Sequence, residues 1–324
     1  MEMISFPRTG LNGELFSQDC IEKSFIEGLV KDITDRLKDI STVDEKESEV
    51  IKYLSSNLEY LLLAKPLELE RIKNTCDSTN LFGPPKEKRT KQFKKQILDA
   101  FGYKQYRSNR LINHAEKLNV KTCCYCNLNY TLFVEEKEAG KINKKALLQF
   151  DHFYDKNIYP HLSMSLYNLI PSCATCNQGK PRKGNLPIIF NPYFSSIFDY
   201  YRFRVKEPLD LYLDSRNTEK IDVECRKINN EDISACDKWF HLSAKYSVHK
   251  DIVEEIFEKA RQYPYYANYR NFLFLKGDTS DLLRLLLGVY TKKEDMIKRP
   301  MSKFETDIWN QALLFYGKVF DQID

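Results

Sequence analysis

Two pairs of cysteines constrain this chain of 324 residues more than any other feature of its sequence. Cys123 and Cys126 form a Cys-x2-Cys turn in KTCCYCN, and Cys173 and Cys176 form a second turn in SCATCN, with 46 residues between the two. Each turn places two thiolates at neighbouring corners of a tetrahedron, so the two turns together match a zinc site of the closed, structural type. The sequence therefore predicts a Zn²⁺ ion that joins two distant segments.

The other cysteines lack a partner at this spacing. Cys124 lies inside the first turn, and we predict that it is a bystander beside the two ligands. Four more are predicted to be small core residues: Cys20, Cys76, Cys225 and Cys236. Because four thiolates leave zinc no open position, the predicted ion holds a small segment in shape and performs no chemistry.

A second set of polar residues lies between and just after the cysteine turns. Asp151 and His152 are adjacent in LLQFDHFYDK, Asn168 stands in SLYNLIPSC, and Asn177 follows Cys176 directly. A carboxylate and an amide oxygen are hard ligands suited to Mg²⁺ or Mn²⁺, and a neighbouring histidine can take a proton from water. These residues predict a one-metal phosphodiester hydrolase.

The order CxYC, DH, NL and CxxCN followed by a lysine resembles the HNH endonucleases, which share a ββα fold with one catalytic metal. The motifs cover about residues 121–185, roughly a fifth of the chain. The segments DHFYDKNIYPHLSMSLYNLIPSCATCN and KRPMSKFETDIWNQ also resemble HNH proteins that accompany an ATPase in Septu-type and retron-linked anti-phage systems. The resemblance implies a metal-dependent DNA endonuclease acting with an ATPase partner.

The resemblance also implies a role for each motif residue. His152 would be the general base that activates water, and Asp151 would ligate the catalytic Mg²⁺ or Mn²⁺. Asn177 stands where many members carry the last histidine of the family name, and its amide oxygen is the expected second ligand. Asn168 would orient His152 and brace the loop between the two strands. Because neighbouring side chains on a strand point to opposite faces, Asp151 and His152 can share a site only if the strand ends or twists there.

Three basic residues after the motif are predicted to contact substrate. Lys180 lies three residues after Asn177 and so is expected on the same helix face, within reach of a phosphate. Arg182 and Lys183 follow it. With the basic residues that precede the motif they would form a rim that tracks phosphates, and such a rim predicts steep salt dependence of binding. The preceding residues are Lys86, Lys88, Arg89, Lys91, Lys94 and Lys95.

Periodicity and composition predict an α+β fold, with a zinc-stapled ββα-metal core flanked by mainly helical regions and a small antiparallel sheet. The break LFGPP should separate two helices. The strand-like pieces YTLFV and ALLQF should be joined by the polar stretch EEKEAGKINKK, and FDYYRFRV, LDLYLD and KIDVECRKI should form the small sheet. Four regions are predicted: an acidic helical region at 1–83, a basic helical segment at 84–120, the HNH core at 121–190, and a C-terminal region of short strands and helices at 191–324.

The charge of the chain favours a nucleic-acid partner. Residues 1–83 carry 10 Lys and Arg against 16 Asp and Glu, whereas residues 84–121 carry 11 against 3. Clustered cations displace the counterions condensed on nucleic acid. From charge alone, a solvated basic helix face explains the second segment about equally well.

Two other functions also fit the sequence. The first is an effector that cleaves RNA, such as tRNA, because the motif cuts phosphodiesters and does not name the sugar. The second is a zinc-clamped nucleic-acid-binding module without catalysis, although such a module needs none of the four polar residues. DNA is preferred on the resemblance alone.

Location is predicted from the N-terminus and from the cysteines. MEMISFPRTG lacks the basic region and apolar core of a signal peptide, and no apolar run approaches the ~20 residues of a membrane span. Nine cysteines in a reducing compartment are thiols or metal ligands. We expect a cytoplasmic protein with no membrane partner.

Overall fold

A computed structural model gives the fold of the chain. It describes residues 3–4, 8–9, 15–138, 141–180, 186–206, 218–228, 234–272 and 279–320. The chain forms two compact units, the first made of residues 1–120 and 131–196, the second of residues 121–130 and 197–324. The first unit thus contains both the acidic and the basic helical regions.

Helices make up most of the first unit. They are α1 Gln18–Ile26, α2 Leu29–Lys38, α3 Glu45–Ser56, α4 Leu58–Leu63, α5 Pro66–Thr79, α6 Lys88–Phe101, α7 Tyr103–Tyr106, α8 Arg110–Leu118 and α9 Ala174–Gly179. Their buried residues recur at helical spacing, as with Leu29, Ile33 and Leu37 on α2. The predicted break at LFGPP is confirmed, since α5 ends at Thr79 and α6 begins at Lys88.

A glycine directs the chain from α6 into α7. Gly102 caps α6 in the left-handed conformation, with φ 70°, and its backbone N–H bonds to the carbonyls of Leu98 and Asp99. A Cβ at this position would collide with the guanidinium of Arg36. Only glycine combines this backbone conformation with this close approach. The turn places Tyr103 at the start of α7, where its side chain is buried.

The strands of the first unit form antiparallel pairs. They are β1 Arg8–Thr9 with β2 Leu15–Phe16, β3 Phe133–Glu138 with β4 Lys141–Ala146, and β5 Gln149–His152 with β6 Leu169–Ser172. The short helix α9 follows β6 directly, so β5, β6 and α9 succeed one another as strand, strand and helix.

The polar stretch between residues 134 and 146 differs from the prediction. It forms most of the β3–β4 hairpin instead of a connection between two apolar strands. Oppositely charged residues face each other across it, with Glu135 paired to Lys144 in the register. The ammonium of Lys144 lies 2.6 Å from Glu116 and 3.6 Å from Glu135. Cross-strand charge pairs stabilise a hairpin that has little apolar surface, so an apolar pattern was a poor guide here.

In its described residues, the second unit combines one strand pair with helices. Its strands are β7 Tyr201–Val205 and β8 Val223–Lys227, paired antiparallel. Its helices are α10 Ser234–Phe240, α11 Leu242–Tyr246, α12 Lys250–Phe272, α13 Thr279–Leu287 and α14 Ser302–Phe320. The first and third strands of the predicted small sheet are present, while the middle one, LDLYLD, lies outside the described residues.

Aromatic side chains form the core of the second unit. Phe203 on β7 contacts Tyr246 and Phe304, with ring centroids 4.2 and 5.4 Å away. Trp309 on α14 is buried. The alternation along β7 turns Tyr201, Phe203 and Val205 inward. The fold is therefore a mixture of helices and small antiparallel sheets. In the part of the chain that the structure describes, no helix has the length and apolarity needed to cross a membrane.

Candidate functional site

The four cysteines of the two turns come together. Their sulfur atoms all lie within 4.8 Å of one another, and all four residues are buried. A tetrahedral zinc ion with Zn–S bonds of ~2.3 Å has sulfur–sulfur edges of ~3.8 Å, so the cluster has the size of a Zn(Cys)4 site. Cys123, Cys126, Cys173 and Cys176 can therefore hold a metal ion such as zinc. Cys124 is buried beside them and is not part of this group.

Local hydrogen bonds shape the first cysteine turn. The N–H of Cys123 bonds to the carbonyl of Asn129, and the N–H of Asn127 bonds to the carbonyl of Cys123. Asn127 adopts a left-handed conformation with φ 51°, which asparagine tolerates better than most residues. The hydroxyl of Tyr246 donates to the carbonyl of Cys126 at 2.7 Å. The turn is thus fixed by two backbone hydrogen bonds and by the hydroxyl of Tyr246.

The second cysteine turn opens helix α9. Cys173 is the N-cap residue, and its carbonyl accepts the N–H of Asn177 at 3.0 Å. Cys176 lies one turn further, and its carbonyl accepts the N–H of Lys180. Any metal held by these two cysteines would therefore fix the start of the helix that carries Asn177.

Strand β5 ends at the predicted Asp-His pair. The register pairs Asp151 with Ile170 and His152 with Leu169, and the strand stops at His152. The side chains of Asp151 and His152 have different partners. Asp151 contacts Lys180, the residue that follows α9. His152 contacts Ser163 in the loop after β5 and Tyr103 on α7. The two side chains therefore lead to different parts of the first unit.

Lys180 neutralises Asp151. Its ammonium donates to the Oδ2 atom of Asp151 at 2.8 Å and to the carbonyls of His152 and Phe153 at 2.6 and 2.8 Å. Only 7% of the Lys180 side chain and 6% of the Asp151 side chain are exposed. An ammonium has three N–H donors, and all three are used here. The contact of Lys180 with a substrate phosphate stays a prediction, and in this structure the cation faces a carboxylate inside the protein.

The ring of His152 is held in one orientation. Its Nε2 atom lies 3.0 Å from the carbonyl oxygen of Ser163, and the ring of Tyr103 lies 4.4 Å away in an edge-on arrangement. A carbonyl only accepts, so Nε2 carries the hydrogen and Nδ1 has the lone pair in the neutral ring. Burial above all, then repulsion from Lys156 and Lys180, hold the pKa of His152 well below its usual value, against the effect of the Ser163 bond. His152 is therefore a neutral imidazole with a defined tautomer.

Asn168 braces the loop between β5 and β6. Its Oδ1 atom accepts the N–H of Tyr154 at 2.7 Å, and its Nδ2 atom donates to the carbonyls of Tyr154 and Leu162. These bonds tie the start of the loop to its far end. The carbonyl of Ser163, next to Leu162, is the group that bonds to the ring of His152. Asn168 therefore acts on His152 through the loop and not by direct contact.

Asn177 faces the same strand from α9. Its Nδ2 atom donates to the Oε1 atom of Gln149 at 2.6 Å. Gln149 and Asp151 are two residues apart on β5, so they share one face of the strand. Asn177 and Lys180 thus meet that face at neighbouring positions. Arg182 and Lys183 lie outside the described residues.

The donor chemistry beside α9 suits a hard cation, but a catalytic metal remains a prediction. The carboxylate of Asp151 and the amide of Asn177 are ligand types that Mg²⁺ and Mn²⁺ accept, and such ions need only one or two carboxylates when water and substrate phosphates complete the shell. The oxygens of Asp151, His152 and Phe153 already surround the ammonium of Lys180. Among the described residues, the cysteine cluster is the group of His, Cys, Asp or Glu with the proximity of a metal site.

Sequence reasoning missed three partners of the predicted residues. Gln149 could have been found, because alternation along β5 places it on the same face as Asp151. Ser163 and Tyr103 gave no signal, since each reaches His152 only through the tertiary fold.

Two members of the predicted basic rim are also engaged elsewhere: Arg89 pairs with Glu47, and Lys94 donates to the carbonyl of Ile158.

Comparison of the chain with protein-family models, with curated proteins and with solved structures finds no match.

Proposed function

We propose that this chain is an HNH-type metal-dependent endonuclease that hydrolyses phosphodiester bonds of DNA. The observation that carries the proposal is the strand–strand–helix succession of β5, β6 and α9, with Asp151 and His152 at the end of the first strand and Asn177 on the helix. The cluster of four cysteines at the start of α9 supports it. The resemblance to HNH endonucleases implies the same order of elements, with these residues on them.

His152 has the geometry of a general base. The Ser163 carbonyl holds the hydrogen on Nε2, so Nδ1 is the atom that accepts a proton from the attacking water. Burial keeps the ring neutral and ready to accept. The hydroxide then attacks phosphorus in line with the departing 3′ oxygen, leaving a 5′ phosphate and a 3′ hydroxyl.

The remaining residues position this base and the charge beside it. Asn168 fixes the loop whose Ser163 carbonyl orients the ring. Asp151, with Asn177 on the neighbouring helix, would hold a divalent ion, which when bound supplies positive charge to the departing oxygen. Without that ion, Lys180 neutralises the charge of Asp151. No step requires the cysteines, whose role is structural.

The biological setting follows from the resemblance alone. We propose that the chain acts with an ATPase partner in a bacterial anti-phage system, in the cytoplasm. RNA is the alternative substrate, because nothing in the chemistry of His152 distinguishes the two sugars.

The test is cleavage of supercoiled plasmid by the wild type and by His152→Gln, with added Mg²⁺ or Mn²⁺, with tRNA assayed in parallel. Glutamine can place an amide N–H near the position of Nε2, so the bond to Ser163 can persist while the base is lost. We expect nicked or linear plasmid from the wild type and a loss of rate of at least ~100-fold in the variant, the lower range for removing a general base.

The matched control is His249→Gln, a histidine of the second unit that precedes α12 and packs against Tyr246. It should cleave like the wild type. Plasmid cleavage that survives in His152→Gln would remove His152 from the mechanism. Intact plasmid with cleaved tRNA would move the substrate to RNA. If the wild type cuts neither plasmid nor tRNA, even in extract that contains the products of the neighbouring genes, the proposal of a hydrolase is contradicted.

A further inference from the structure

Three cations lie near Tyr103, the aromatic side chain that packs against His152. Lys104 lies on α7, Arg107 follows that helix, and Lys156 lies in the loop after β5. Lys104 and Arg107 are exposed, and Lys156 is half-buried. Lys104 and Arg107 lie more than 40 residues before His152 in the sequence, and Lys156 lies four residues after it.

Tyr103 links these cations to His152. The ammonium of Lys156 lies 4.2 Å from the centre of the Tyr103 ring, and the ring of His152 lies 4.4 Å from the same centre. The hydroxyl of Tyr103 donates to the carbonyl of Phe150 on β5, which fixes the ring. Lys156 and His152 therefore contact a single, anchored side chain.

A cavity of about 130 Å³ opens at this place. Tyr103, Lys104, Gln105 and Lys156 contribute to its walls, together with Asp99. The lining thus offers two ammonium groups, an amide and the carboxylate of Asp99 beside an aromatic ring, so its charge is positive overall. Such walls suit an anion that needs both charge and hydrogen-bond donors.

The positive charge here is not balanced by ion pairs. Within the described ranges, no carboxylate lies within salt-bridge distance of Lys104, Arg107 or Lys156. Burial lowers the pKa of Lys156 most, Asp155 and Asp151 oppose that effect, and Arg107 and Lys104 lower the pKa further by repulsion. Like charges held together without close counter-ions destabilise a fold unless an anion joins them.

We propose that Lys104, Arg107 and Lys156 bind phosphates of the nucleic-acid strand that is presented to His152. This inference rests on the proposed function, since it names the substrate contacts of that site. It assigns to these residues the role that the sequence predicted for Lys180, whose ammonium is used by Asp151. Phosphodiester oxygens supply close anionic partners to three cations that have no carboxylate within salt-bridge distance among the described residues.

The test is equilibrium binding of a short duplex DNA to the full chain without added Mg²⁺ or Mn²⁺, measured by fluorescence anisotropy at several salt concentrations. The site variant is Lys104→Gln, Arg107→Gln and Lys156→Gln combined. The control variant is Lys31→Gln, Lys52→Gln and Arg71→Gln, which makes the same change of charge at exposed positions on α2, α3 and α5.

We expect the site variant to bind more weakly and to flatten the slope of log affinity against log salt by about 0.9 for each phosphate that is no longer neutralised. The control variant should keep the slope of the wild type. Equal slopes for the two variants, or no binding by the wild type to duplex DNA, single-stranded DNA or RNA, would overturn the inference.

Plasmid cleavage separates this inference from the proposed function. A wild type that binds through the three cations but never cuts would contradict the hydrolase and leave the phosphate surface in place. A wild type that cuts, together with a site variant that cuts and binds equally well, would contradict the phosphate surface and leave the hydrolase in place.

Discussion

At the residue scale, Asp151 and Lys180 form an ion pair that is almost completely withdrawn from water. Exposed fractions of 6% and 7% mean that each charge has lost most of its hydration. Removing one partner of such a pair leaves an uncompensated charge, and this usually costs more than the pair itself contributes. The three bonds of Lys180 also tie the end of α9 to the end of β5.

We therefore expect Lys180→Met to lower the free energy of unfolding by about 3 kcal/mol, the lower range for breaking a buried pair. Chemical denaturation measures it. The matched control is Lys38→Met, whose partner Asp35 is on the surface, with exposures of 67% and 57%. Exposed pairs contribute less than about 1 kcal/mol. The double variant Asp151→Asn with Lys180→Met should recover part of the loss. Equal effects of Lys180→Met and Lys38→Met would contradict the burial of this pair.

The residue scale also shows how far a sequence motif extends. Asp151, His152, Asn168 and Asn177 were predicted from residue type and order, because their chemistry is carried by the side chains themselves. The tautomer of His152 was not predictable, since it depends on the carbonyl of Ser163. The contact of Lys180 with Asp151 was not predictable either. Helical spacing predicts on which face of the helix Lys180 lies, but not which carboxylate faces it.

At the element scale, β5, β6 and α9 are short, with four, four and six residues. Elements of this length have little apolar surface of their own to bury, and a two-stranded hairpin is marginal in water. Cross-linking by a metal is one way in which small, poorly cored segments are held. The four cysteines stand where such a cross-link would fix the start of α9.

We expect the wild type to purify with zinc at a ratio of about one per chain. Cys176→Ser should lose the metal and unfold at lower temperature, because three thiolates hold zinc poorly. Metal analysis and thermal denaturation measure both effects. Cys124→Ser and Cys20→Ser are the controls and should retain the metal; Cys20 is exposed, so the prediction that it lies in the core was wrong. Zinc retained in full by Cys176→Ser, or lost from Cys124→Ser alone, would contradict the assignment of ligands.

At the scale of the whole molecule, basic residues are concentrated in one segment of the chain, and an acidic residue elsewhere in the chain has a raised pKa. Lys104 and Arg107, from the basic segment at residues 84–121, lie near Lys156. In the second unit, Glu305 on α14 is half-buried, and burial raises its pKa to about 7. Lys259 and Arg299 oppose this shift, and Glu255 reinforces it.

Glu305 should make stability depend on pH. Its ordinary pKa is 4.5, so the unfolded chain loses this proton earlier than the folded chain as pH rises. Stability therefore falls between pH 4.5 and about 7 and stays reduced above that. Glu305→Gln, which carries no charge, should melt at a higher temperature than the wild type above about pH 7 and show no such gain below pH 4.5.

Thermal denaturation over a pH series measures this difference. The control is Glu254→Gln on α12, an exposed acid whose melting curve should follow the wild type. A gain in Glu305→Gln that is constant with pH would show that the effect is not one of titration.

The sequence by itself determined the elements whose signals are local. The LFGPP break and the helices before and after the motif follow from periodicity, glycine and proline. The approach of the four cysteines was also predictable, because two Cys-x2-Cys turns have a known use. The β3–β4 hairpin was not, since its stability comes from pairs such as Glu135 with Lys144 across the strands.

Only the tertiary structure decided what surrounds the motif. Tyr103 reaches His152 because Gly102 turns the chain after α6, and Lys156 comes to the same ring from another loop. Lys180 faces Asp151 because α9 packs on β5. Side-chain chemistry is encoded residue by residue, whereas the partner of each charge is chosen by packing between segments far apart in the chain, which no local pattern records.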